Sequence, residues 1–123
     1  MNVQNIYILE DDASFASCIE KYVKKSGIPV EVFVFNNIID AISNIDLHFP
    51  SMIFLDVLLT GPDGFTLLNE LASYSDTARI PIVIISSIDF SGQDLNSYGV
   101  VAALNKDTLI PKEVITYVRT YAH

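Results

Sequence analysis

Four short apolar runs lead into side chains that can do chemistry. "IYIL" runs into Glu10-Asp11-Asp12, "MIFL" into Asp56 and "IPIVII" into Ser86-Ser87, while "VVAAL" is followed two residues on by Lys106. Gathered on one rim, these residues would place three or four carboxylates beside a hydroxyl and an ammonium. Two carboxylates about 4 Å apart repel by roughly 4 kcal/mol at an effective dielectric near 20. Three stay ionised only with compensation. A hard divalent cation supplies it, and Mg2+ accepts a few carboxylates together with waters and a phosphate oxygen. A cation, a hydroxyl and an ammonium around one carboxylate suit a phosphoryl group. That carboxylate can act as nucleophile and become an acyl phosphate while the fixed charges stabilise the transferring group.

Taken singly, each residue has an ordinary explanation. Asp12 stands before a helical pattern and is most simply its N-cap, with Ser14 as a rival. Ser86 and Ser87 suit a loop, Lys106 a solvated surface, and Asp63-Gly64 a turn. It is their joint placement after apolar runs that calls for a common cause.

The elements that would position them are legible. Five apolar runs recur, at 6–9, 30–35, 52–55, 80–85 and 100–104. Four are nearly continuous, as strands buried on both faces are. The second, "VEVFVF", carries Glu31 and fits a position nearer an edge. Helical spacing fills the gaps. Phe15, Cys18, Ile19, Tyr22 and Val23 mark one face, with Gly27 as its stop. Ile38, Ile42 and Ile45 mark a second helix, and Phe65, Leu68, Leu71 and Ala72 a third. "SGQDLNSYG" predicts a weak fourth. Val114, Ile115, Val118 and Tyr121, after Pro111 in the first turn, mark a fifth. The alternation predicts an α/β fold of one domain over 1–123. It is a doubly wound (βα)5 unit, with a five-stranded parallel sheet and helices on both faces. Such folds bind ligands beyond the carboxyl ends of their strands.

Composition bounds the rest. The chain has 123 residues, half of them hydrophobic, and a net charge of −8. That is enough for one core, and the acidic balance argues against binding nucleic acid or anionic lipid directly. The lone Cys18 fits a reducing compartment and no internal disulfide. No apolar run is long enough to cross a bilayer as a helix. No signal peptide is expected, and the chain is expected to be cytoplasmic. His48 and His123 are expected on the surface without partners.

The set Glu10-Asp11, Asp56, Asp63-Gly64, Ser86 and Lys106, in this order and at these spacings, resembles the receiver domain of bacterial two-component response regulators, a flavodoxin-like fold. The resemblance covers nearly the whole chain. It implies Asp56 as phosphoacceptor. Asp11 would be a direct Mg2+ ligand, Glu10 would act largely through a metal-bound water, and Leu58 would offer its backbone carbonyl. Ser86 and Lys106 would each hold a phosphoryl oxygen, and the small Ser87 leaves the donor room to approach. The implied partners are a histidine kinase or histidine phosphotransfer protein and a downstream target or output domain. The fourth helix, fifth strand and fifth helix form a face through which receivers often dimerise. The expected activity is phosphotransfer to the domain itself rather than turnover of a substrate. The alternative is an interaction module on the same fold that works without phosphorylation.

Several positions depart from the family pattern. Thr60 replaces a frequent proline, which comes later as Pro62. Ala103 stands where an aromatic side chain often serves as the switch. Asp107 follows the lysine in place of a cis proline, so the Lys106–Asp107 bond is expected to be trans, a cis bond there costing about 3 kcal/mol or more. Leu58 and Ile88 occupy the two positions that tend to guide water to the acyl phosphate. Neither can orient water, which predicts slow self-dephosphorylation.

Overall fold

In the computed structural model, which describes residues 2–58, 63–88, 90 and 95–123, the strands and helices alternate as expected except between the fourth and fifth strands. They are β1 (Gln4–Leu9), α1 (Ala13–Lys24), β2 (Val30–Phe35), α2 (Ile38–Asn44), β3 (Met52–Leu55), α3 (Asp63–Ala72), β4 (Ile82–Ser86), β5 (Val100–Asn105) and α4 (Pro111–Tyr121). The sheet is parallel in the order β2-β1-β3-β4-β5. Glu31 therefore lies on an edge strand. The predicted fourth helix falls partly on residues 91–94, outside the described residues. Its described remainder is one 3-10 turn, Asn96–Tyr98. Thr60 and Pro62 also lie outside them.

Period-two alternation splits the core into two layers. Tyr7, Leu9, Ile53, Leu55, Ile82 and Ile84 face α2 and α3. Ile6, Ile8, Met52, Phe54, Val83 and Ile85 face α1 and α4. The three central strands thus bury both faces, which is why their sequences read as unbroken apolar runs.

The helix stripes are close to those expected, with shifts that burial explains. Ala16, Ile19 and Val23 are the buried centre of α1. Phe15, Cys18 and Tyr22 flank it, half-buried. In α3 the inner stripe is Gly64-Leu67-Leu68-Leu71, while Ala72 is exposed. Asp63-Gly64 opens α3 rather than forming a turn. His48 is exposed but not partnerless, since its ring stacks on Phe33 with centroids 4.7 Å apart.

Local chemistry sets the boundaries. The Asp12 carboxylate accepts from the backbone N–H groups of Ser14 and Phe15, so Asp12, not Ser14, caps α1. Gly27, at φ +82°, follows the end of that helix in the left-handed region. Pro111 begins α4, and the Ile110 N–H donates to Glu113 Oε1 at 3.1 Å. Arg119 Nε donates to the Ser26 carbonyl at 2.8 Å, tying α4 to the end of α1.

Gly64 matters for the rim. A Cβ placed there would lie 2.3 Å from Val57 Cα and 2.5 Å from the Val57 carbonyl oxygen. The first turn of α3 therefore presses on the backbone one residue past Asp56, and only glycine permits it. Gly64→Ala is expected to destabilise the fold by about 1–3 kcal/mol, the usual range for overpacking. Urea denaturation checks this.

Candidate functional site

The strand order places the chemistry. β1 and β3 are neighbours with Leu9 opposite Leu55, so the next residue of each, Glu10 and Asp56, emerge side by side. The Asp56 N–H donates to the Leu9 carbonyl at 3.0 Å, and the Glu10 N–H to the Phe35 carbonyl at 3.0 Å, which fixes both backbones to the sheet. On the other side, Ser86 ends β4 opposite Asn105, and the Lys106 N–H donates to the Ser86 carbonyl at 2.9 Å. Four strands thus deliver two acids, a hydroxyl and an ammonium to one rim.

Glu10 is 2% exposed, Asp56 8% and Ser86 1%, whereas Asp11 is exposed. The carboxylates of Glu10, Asp11 and Asp56 offer oxygens that all lie within 4.8 Å of one another. Lys106 Nζ lies 2.7 Å from Glu10 Oε1 and 3.3 Å from Asp56 Oδ2. The Glu10 contact is close in distance but is not aligned as a hydrogen bond. Backbone donors complete the set. Leu58 N–H donates to Asp56 Oδ1 at 3.0 Å, Asp12 N–H to Glu10 Oε2 at 3.1 Å, and Ile88 N–H to Ser86 Oγ at 3.2 Å. Accepting from Ile88 leaves the Ser86 hydroxyl proton free to donate.

Glu10, Asp11, Asp56, Ser86 and Lys106 are therefore all on the rim, and Ser87 beside it is exposed. Leu58 and Ile88, whose N–H groups bond to the rim, are 45% and 49% exposed. Two contributions were not legible beforehand. Phe15 reads only as part of a helix stripe, yet the Lys106 ammonium sits over its ring, 4.7 Å from the centroid. The Leu58 and Ile88 backbone donors carry no sequence signal, because any residue supplies an N–H. Ala103 is exposed on β5, and the Lys106–Asp107 bond is trans.

Burial, against which the Lys106 ammonium and the Asp12 N–H act only in part, raises the Glu10 carboxyl above its usual range. Burial also works against the Lys106 charge, but Glu10 and Asp56 outweigh it and raise that ammonium. Both shifts are upward, so both contributions fall as pH rises, each in its own range. Lys106 contributes stability that is present below the usual lysine range and is lost as pH rises through its raised value. For Glu10, the folded state holds its proton to a higher pH than the unfolded chain does. Its favourable contribution is thus present at low pH and lost as pH rises through the raised value.

Residues 6–118 match the family described as response regulator receiver domain. The chain belongs to that family, whose members are the phosphoacceptor domains of two-component signalling. The transcriptional regulatory protein RstA of Escherichia coli (strain K12) is 33% identical over 88 residues, covering 71% of this chain and 34% of RstA. The chain thus spans about a third of that relative's length. Among solved structures, a protein of Chloroflexus aurantiacus J-10-fl described as a response regulator is 26% identical with a TM-score of 0.82, covering 97% of each chain. The receiver domain of the sensor histidine kinase PA1611 from Pseudomonas aeruginosa PAO1, solved with a magnesium ion in its active site cleft, shares the fold. It is 19% identical with a TM-score of 0.79, covering 98% of each chain.

The Glu10 shift predicts a pH signature. In chelator-containing buffer, the stability of the wild type relative to Glu10→Gln should fall as pH rises above the ordinary glutamate range, because only the wild type must ionise a buried carboxyl. Urea denaturation of both proteins over that rise in pH measures the difference.

Proposed function

We propose that Asp56 is the phosphoacceptor of this receiver and that the rim binds Mg2+ through Glu10, Asp11, Asp56 and the Leu58 backbone carbonyl. The observation that carries the proposal is the convergence of three carboxylates within 4.8 Å of one another beside the Lys106 ammonium. The donor set suits the ion. All the side-chain ligands are hard oxygens, Asp11 stands exposed at the mouth, and the other two acids are held from behind by backbone N–H groups. When bound, Mg2+ neutralises the carboxylates and the charge that develops on the phosphoryl oxygens.

The chain's own residues then do the following. One Asp56 oxygen attacks the phosphorus of a phosphohistidine. The P–N bond breaks, its electron pair returns to the imidazole, and an acyl phosphate forms on Asp56. Lys106, already between Glu10 and Asp56, moves its charge toward one phosphoryl oxygen. The Ser86 hydroxyl donates to another. Ser87 keeps the approach open. The donor is a histidine kinase or histidine phosphotransfer protein, and the setting is the cytoplasm. The downstream partner reads the state of the rim without a turning aromatic at position 103, since Ala103 has no ring to turn. An interaction module indifferent to phosphorylation is not favoured, because the rim retains the entire set of polar groups.

Acetyl phosphate with Mg2+ should add one phosphoryl group to the intact mass, and Asp56→Ala should abolish the gain. A wild type that gains no mass under saturating donor would sink the assignment. The acyl phosphate should also be long-lived. Leu58→Asn combined with Ile88→Glu is expected to speed its loss by about tenfold or more, short of the roughly hundredfold at the low end for a fully positioned acid or base. Loss of the added mass over time, after removal of the donor, gives both rates.

A further inference from the structure

A cleft of about 290 Å3 opens between α2 and α3. Ile42, Ile45 and Leu71 give it an apolar base, and Asp46, Glu70 and Tyr74 stand around them, with Asp76 as a third acid. It lies toward the C-terminal ends of α2 and α3, where the chain returns to begin β3 and β4. It shares no residue with the carboxylate rim. The charge here is one-sided. Among the described residues, neither Asp46 nor Glu70 makes an ion pair, and no lysine or arginine lines the cleft. Asp76 is partly engaged, its Oδ1 accepting from the Thr77 N–H at 2.9 Å. The apolar character continues outward, as Tyr74 is 58% exposed and Leu47, beside Asp46, is 77% exposed.

We propose that this cleft docks a partner protein through a basic amphipathic segment. The concave apolar base accepts an aliphatic side chain or the stem of a lysine or arginine, and the unpaired carboxylates take the cationic heads. The exposed face of Tyr74 adds a place for a guanidinium. An acidic segment would meet uncompensated repulsion from Asp46 and Glu70, and a purely apolar one would leave those acids at its margin without partners. A second copy of this chain is a poor occupant, because its net charge of −8 opposes the approach. The surface is separate from the phosphoacceptor rim, and the proposal stands whether or not Asp56 is modified.

The test is a 1H–15N titration of the whole chain with a short peptide repeating Lys and Leu at helical spacing. A control peptide carries Ser in place of every Leu at the same charge. The Lys–Leu peptide should shift the amides of Ile42, Ile45, Asp46, Glu70, Leu71 and Tyr74 more than those of the rim. The control should bind more weakly. Asp46→Asn with Glu70→Gln should weaken binding by about five- to tenfold, as the loss of two exposed charge pairs implies, and added salt should weaken it further. The dispersion of the variant's own spectrum reports its fold. Shifts centred on another acidic face, equal binding by the control, or unchanged affinity in the double variant would overturn the proposal.

Discussion

The rim rests on one electrostatic constraint, the compensation of two nearly buried carboxylates. Glu10 and Asp56 leave adjacent strands together, and among the described residues Lys106 is the cation that meets both. Burying such a cluster is poor for stability, because desolvation offsets much of the attraction and an apolar replacement of similar shape usually does as well or better. The upward shift of Glu10 expresses that cost locally. In the proposed function, that cost is offset by what the cluster binds.

The rest of the architecture serves that cluster. The chain runs from β1 outward to β2 and back across to β3, so the strand order turns between β1 and β3. Glu10 and Asp56 flank that turning point. β4 and β5 then bring Ser86 and Lys106 from the other side, linked by the backbone hydrogen bond from Lys106 to Ser86. Gly64 lets α3 close on the backbone just past Asp56. The ring of Phe15 gives the Lys106 ammonium a fixed neighbour as well as its two anionic ones. The apolar layers set distances within the rim although none of their side chains takes part in its chemistry.

The domain divides into a complete chemical end and an altered transmitting side. The polar set at the strand ends is intact, whereas Ala103 removes the aromatic side chain by which many receivers report the state of their hydroxyl. The acid-lined cleft between α2 and α3 offers a route to a partner that shares no residue with either region. Attachment and signalling can therefore be carried by separate surfaces.

Much of this was legible in the sequence, for a definable reason. Strands buried on both faces must be almost wholly apolar, so a charged residue at the end of such a run, as at Glu10 or Asp56, stands out against its surroundings, whereas β5, read as a strand of the same kind, is an edge strand with one face exposed. Helical spacing located the helices, and Asp12 and Pro111 marked two of their starts. What periodicity could not resolve was local packing. It assigned Ala72 to the inner face of α3 in place of Leu67, took Asp63-Gly64 for a turn, and left His48 without the Phe33 ring. By itself the sequence determined which groups reach the carboxyl ends of the strands, because side-chain chemistry and hydrophobic period are properties of the chain. Only the tertiary structure decided how they meet: the Lys106 bridge between two acids, the Phe15 ring beside it, the backbone donors of Leu58 and Ile88, and the unpaired carboxylates over the α2–α3 cleft. Apart from the two backbone donors, which reach side chains only two residues away, those are distances between residues far apart in the chain, and only the packing of strands and helices sets them.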